Sequence, residues 1–225
     1  MEEQPLPDAA KAEHLEILQL TVGPLQVNAY VLLAGSEAVV VDPGDEGARI
    51  AAELQERGAK LSAVWLTHAH FDHVGGISAL LAKRPAGSAD PVPVFLHPLD
   101  QPLIEYAEAA AARWSLTIEA PPTDTVALEH GQTLHVGKTA VTVLHTPGHA
   151  PGHVAFYLPQ HDLVFSGDAL FKGSIGRTDL PLADEGQLLD SIRRELLSLP
   201  DTTTVLPGHG PSTRIGAERF GNPFL

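Results

Sequence analysis

Apolar residues recur in short blocks along the chain, and the spacing inside each block sets the element it predicts. LEILQLT (15–21), VNAYVLLA (27–34) and EAVVVDPG (37–44) are apolar runs bounded by Gly, Pro and Asn, and they predict three early β-strands. In EGARIAAELQERG (46–58) Ile50, Leu54 and nearby alanines share one helical face, and Gly58 supplies a stop. LSAVWLT (61–67) predicts a strand, ISALLAKR (77–84) a helix, PAGSADPVP (85–93) a loop and PVFLH (93–97) another strand. Residues 98–118 are rich in helix formers and predict one surface helix, expected as a lid. From residue 123 the chain is β-rich, through TVALEH, TLHVG, TAVTVLHT, HVAFYLP and DLVFSGD. A helix is expected over 184–199 and a last strand in TTTVLPGHG (202–210), ahead of a 15-residue tail. Two strand-rich halves, each ending in helices, imply an α/β protein with two sheets and helices outside.

Composition narrows the classes. A chain of 225 residues with 44% hydrophobic and 19% charged residues fits one globular domain, expected over 15–225 behind a flexible stretch at 1–14. No apolar run reaches the ~18 residues of a membrane span, and the acidic N-terminus lacks the blocks of a secretory signal. The absence of cysteine excludes disulfides, thiolate ligands and a cysteine nucleophile, and fits a cytoplasmic protein. A net charge of −14 argues against a nucleic-acid partner.

What remains to explain is the placing of the twelve histidines. THAHFDHVGG (67–76) directly follows an apolar strand, and alternate residues there can face one direction. His68 and His70 can then grip one ion while Asp72 and His73 address a second. Imidazole and carboxylate donors suit zinc, iron or manganese. HTPGHAPGH (145–153) offers His145, His149 and His153, of which one would complete a three-histidine site, and spacing does not choose among them. Asp168 follows the strand DLVF, where a carboxylate can bridge two cations. His209, in LPGHG, ends the last strand. Four strand ends thus deliver enough donors for two divalent metal ions, with positions left for water. Two such ions would make the pocket locally electropositive within an acidic protein, as an anionic substrate requires.

THAHFDHVGG, TPGHAPGH, GDALFKGSIGRTD and PGHG, in this order, resemble the metallo-β-lactamase superfamily, as does the early VVVDPG. The resemblance runs over about residues 15–225 and is strongest to the glyoxalase II-like hydroxyacylglutathione hydrolases. VNAYVL and the ending GHGPSTRIGAERFGNPFL are similar to the short bacterial branch, which lacks the C-terminal helical domain of the longer enzymes. The resemblance implies an αββα sandwich with the metals at one edge. It implies a first ion on His68, His70 and His149, a second on Asp72, His73 and His209, and Asp168 between them. It also implies that Asp42 braces the metal loop and that Asp72 orients a metal-bound hydroxide. Arg177 falls where the family places a basic residue against the glutathione carboxylate, with Lys172 a further candidate. The implied reaction is hydrolysis of a glutathione thioester of the S-D-lactoylglutathione type on two ions, zinc first, with iron or manganese also suited. Other activities on this fold are a mononuclear-iron persulfide dioxygenase and a lactone or phosphoester hydrolase. The dioxygenases commonly carry cysteine where Ser174 stands, which favours the hydrolase.

Overall fold

The computed structural model describes residues 14–225, so the flexible stretch expected at 1–14 lies, but for its last residue, outside the described residues. The first sheet has the order β1-β2-β3-β4-β5-β6. It comprises β1 (Leu15–Val22), β2 (Val27–Ala34), β3 (Glu37–Val41), β4 (Lys60–Trp65), β5 (Val94–Leu96) and β6 (Val126–Ala127). β1 to β3 are antiparallel, while β3 to β6 run parallel. Parallel neighbours need a crossover, and α1 (Gly47–Glu56) supplies the one between β3 and β4.

The second sheet has the order β14-β13-β10-β9-β8-β7. Its strands are β7 (Thr133–Val136), β8 (Thr139–His145), β9 (Val154–Leu158), β10 (Leu163–Gly167), β13 (Thr204–Pro207) and β14 (Thr213–Arg214). A small hairpin, β11 (Leu170–Phe171) with β12 (Ser174–Ile175), stands apart from both sheets.

Alternation along the strands divides the core into layers. In β2 every residue is buried. Val31 and Leu33 pack towards α1 and α3 (Ile77–Lys83), with Ile50, Leu54, Ile77 and Leu80. Tyr30 and Leu32 turn the other way, into a cluster between the sheets with Trp65, Val143, Phe156 and Phe165. Beyond the second sheet, Val164 and Val205 pack against Leu188, Ile192 and Ile215. The layers are therefore helix, sheet, sheet, helix. No helix among the described residues is long and apolar enough to cross a membrane.

The segments expected as single helices are divided, and the tail, for which no element is predicted, is structured. Residues 98–118 are not one helix. A 3-10 turn (Pro98–Asp100) leads into α4 (Gln101–Glu105) and α5 (Ala107–Arg113), which break at Tyr106, and 114–118 are not helical. Pro102 removes an amide donor at the start of α4, and Ile104, Ala107 and Ala111 are buried, so the segment packs on the core. The tail after Gly210 is structured: β14 pairs with β13, and α7 (Ile215–Gly221) follows. Glu218 is buried there and accepts the Gly173 N–H, and Arg219 donates to the carbonyls of Leu197 and Leu199. The helix expected over 184–199 is α6 (Glu185–Ser191) running into a π-turn over Ile192–Leu196.

Candidate metal centre

The chain leaves β3, β4, β10 and β13 at one rim. After β4 the backbone extends through His68 to His70 and turns into the short helix α2 (Phe71–Val74), which carries Asp72 and His73. His149 lies in the turn between β8 and β9, Asp168 just past β10 and His209 just past β13.

These seven side chains converge. Ligand atoms of His68, His70 and His149 lie within 4.8 Å of one another, as do those of Asp72, His73 and His209, and of His68, His73 and Asp168. His70 Nδ1 is 2.9 Å from His149 Nε2. Asp168 stands between the groups: Oδ1 is 3.5 Å from His73 Nε2, and Oδ2 is 3.6 Å from both His149 Nε2 and His209 Nε2. His209 Nε2 is 3.3 Å from Asp72 Oδ2. Donors ~2.1 Å from a tetrahedral ion sit ~3.4 Å apart, so this spacing suits a cation between them. Gly208 leaves room for the approach, since a Cβ there would fall 2.2 Å from Asp168 Oδ1.

Among the described residues, three buried polar atoms at this point have no hydrogen-bond partner: His68 Nε2, His73 Nε2 and Asp168 Oδ1. An unpaired buried polar atom costs ~1–3 kcal/mol, and three at one point fit an ion that would complete them. The opposite ring nitrogens are occupied. The Thr67 hydroxyl donates to Asp42 at 2.6 Å and accepts from His68 Nδ1 at 3.0 Å. His73 Nδ1 donates to Asp42 at 3.1 Å, His149 Nδ1 to the Arg177 carbonyl at 2.9 Å and His209 Nδ1 to the Leu25 carbonyl at 3.1 Å. Such outer bonds fix the tautomer and aim the other nitrogen at the centre. His153 is closed to this role, because Nδ1 meets the Thr146 hydroxyl and Nε2 accepts the Asp168 N–H. His145 Nε2 bonds the Pro151 carbonyl and stacks on His97, away from the cluster.

Electrostatics divides the donors. Burial, reinforced by neighbouring imidazoles, holds His68 well below its ordinary pKa and His70 at about 3. Burial also lowers His149 against the pull of Asp168. These three are neutral lone-pair donors at pH 7. Burial opposes protonation of His73 and His209 as well, but carboxylates outweigh it: Asp168 and Asp72 at His73, Asp72 and Asp168 at His209. Both are therefore raised. Burial would push Asp168 and Asp72 up, yet His73 and its neighbours hold both low, so they remain anionic.

The rim around the centre is mixed. Arg177 is exposed, forms a two-pronged ion pair with Asp179 at 2.8 Å and lies over the Trp114 ring at 5.7 Å. Lys172 is exposed at the turn of the β11–β12 hairpin, whose Phe171 ring stands 6.4 Å from His209. On the Asp72 side a small open cleft is lined by Leu25, Phe71, Leu116 and Ile118. Thr67 and Asp100 also bear on the site, as partners of the donors and their loops. Thr67 sits beside the histidine motif, whereas Asp100 lies far from any histidine cluster and gives no sequence signal.

A family model of the metallo-beta-lactamase superfamily matches residues 22–209. The chain belongs to that superfamily. Its fold binds divalent metals, and the donors described above suit them. Hydroxyacylglutathione hydrolase GloC of Haemophilus influenzae is 38% identical, with 94% of this chain and 98% of that protein covered. The crystal structure of TTHA1623 in a di-iron-bound form is 50% identical with a TM-score of 0.84, covering 92% of this chain and 100% of that one. The BLEG-1 B3 metallo-beta-lactamase is 40% identical with a TM-score of 0.83, covering 93% and 99%.

Proposed function

We propose that this metallo-hydrolase cleaves glutathione thioesters of the S-D-lactoylglutathione type in the cytoplasm. The observation that carries a two-ion hydrolytic site is the Asp168 carboxylate set between two histidine groups, with unpaired buried atoms on both sides. The likeness to GloC over nearly the whole of both chains supports the substrate class. His68, His70 and His149 would hold one ion, Asp72, His73 and His209 the other, and Asp168 both; zinc, iron and manganese suit these donors. Bound there, the ions supply Lewis-acid polarisation and a water nucleophile at neutral pH.

The chain's own groups do the rest. Asp72, anionic and 3.3 Å from His209 Nε2, would orient the attacking hydroxide. The acyl group lies in the cleft against Phe71, Leu116 and Ile118. Arg177 and Lys172 on the open rim receive the glutathione carboxylates, Arg177 by exchanging Asp179 for substrate. The departing thiolate is a good leaving group and needs little acid assistance.

The likeness to BLEG-1 favours a second reading, hydrolysis of a β-lactam ring. Metal analysis of the purified protein is paired with three assays: S-D-lactoylglutathione hydrolysis, hydrolysis of a chromogenic cephalosporin, and oxygen uptake with glutathione persulfide. The expected result is two ions per chain and thioester hydrolysis well above the other activities. One iron per chain with persulfide-dependent oxygen uptake and no thioesterase overturns the proposal.

A further inference from the structure

The first metal position is assembled from two loops that belong to different sheets. His68 and His70 follow β4 of the first sheet, and His149 precedes β9 of the second. The 2.9 Å approach of His70 Nδ1 to His149 Nε2 therefore depends on how the two loops are held against each other.

One side chain spans them. Asp100 is fully buried, and its two carboxylate oxygens are divided between the loops. Oδ2 accepts the N–H of Ala69, the residue between His68 and His70, at 3.1 Å. Oδ1 accepts the N–H of Gly152, three residues past His149, at 2.5 Å. Gly152 is needed for this contact, since a Cβ there would fall 2.7 Å from Asp100 N and 2.9 Å from Oδ1. Asp100 ends the 3-10 turn that opens the segment leading through α5 to Trp114. Trp114 in turn faces Arg177, whose carbonyl holds His149 Nδ1. His149 is thus held through its ring by Arg177 and through its loop, at Gly152, by Asp100.

We propose that Asp100 is a positioning residue that sets the affinity of the first metal position by tying the His68–His70 loop to the His149 loop. The inference rests on the two-ion reading of the centre and goes beyond it, because Asp100 touches none of the seven donors. Burial raises its carboxyl to about 6, against the pull of the Gly152 and Ala69 amides, so the chain retains a carboxylate where solvation disfavours one. A polar residue serving only to fill space has no need of this. An Asn would offer one acceptor and set a donor against the other N–H.

The test is a zinc titration with chelator competition in two backgrounds. His209→Ala retains the first position, and His149→Ala retains the second. Adding Asp100→Ala should weaken zinc ~10–100-fold in the first background, the range for disturbed outer-shell partners, and less than about threefold in the second. Asp100→Asn, which keeps the volume and one acceptor, should fall between wild type and Asp100→Ala in the first background. It also carries the test if Asp100→Ala fails to fold. Thermal melting of the metal-free forms separates loss of fold from loss of affinity. Equal losses in both backgrounds make Asp100 a general structural residue and overturn the proposal, as does no loss in either. A wild type that holds two ions keeps the reading of the centre intact in those cases. A wild type that binds no zinc, iron or manganese overturns both.

Discussion

His73 Nδ1 stands 3.1 Å from the Asp42 carboxylate, and this contact decides which nitrogen of the ring faces the centre. The same carboxylate accepts the Thr67 N–H at 2.8 Å and the Thr67 hydroxyl at 2.6 Å. Asp42→Asn would place an amide donor against His73 Nδ1 and favour the tautomer with its proton on Nε2, the unpaired atom. The variant is expected to bind its second ion ~10–100-fold more weakly while staying folded. Metal titration checks it: wild-type affinity for both ions would show that the tautomer does not matter.

His209 belongs to the second group of donors only. His209→Ala should leave about one ion per chain and cut thioester hydrolysis by ~10–100-fold or more. Metal stoichiometry and hydrolysis are measured together on the variant. Full hydrolysis with a single ion would remove the need for a second metal.

Arg177 already has a partner in Asp179. If it serves the substrate, Arg177→Ala raises KM for a glutathione thioester by roughly 10-fold, the order expected for a charge-assisted hydrogen bond, and leaves a small thioester lacking glutathione unchanged. Asp179→Ala should move KM the opposite way by freeing the guanidinium. Equal losses on both substrates would assign the pair to loop structure.

His97 supplies a pH dependence outside the metal centre. Burial and the parallel His145 ring 4.3 Å away lower its pKa to about 4, while the unfolded residue titrates near 6.5. Between these values the unfolded chain binds a proton that the folded chain excludes, so stability falls as pH drops from about 6.5 to about 4. His97 Nδ1 accepts the Leu99 N–H, a contact that Asn can reproduce. His97→Asn should therefore flatten this part of the melting-temperature profile of the metal-free protein between pH 7 and 4.5. An unchanged slope would assign the acid sensitivity to other buried histidines, such as His153.

What could be read from the sequence follows from where each interaction is written. β2 ends where its apolar run ends, because hydrophobic burial acts through side chains and side chains are what a sequence records. The convergence of donors from four segments follows likewise from residue type and strand position. Asp100 leaves no mark in the sequence because its partners are the backbone amides of Ala69 and Gly152, which every residue but proline possesses. Residues 98–118 read as one helix because propensity counts alanines and not the Tyr106 break, where φ is −96° and ψ is −1°. No element is predicted in the tail because α7 is held by distant contacts, from Arg219 to the carbonyls of Leu197 and Leu199, that leave no local pattern.

The bond from His209 Nδ1 to the Leu25 carbonyl joins points 184 residues apart. Asn28 reinforces it by donating to the carbonyls of Pro207 and Gly210, and the Tyr30 hydroxyl donates to Pro207 as well. The second group of donors is thus stitched between the first hairpin and the segment that follows β13. During synthesis the ribosome exposes His68 to His73 long before it releases His209. Completion of that donor group therefore waits until both segments have been made and brought together. Reordering the segments would change when each donor appears without changing a single side chain of the group.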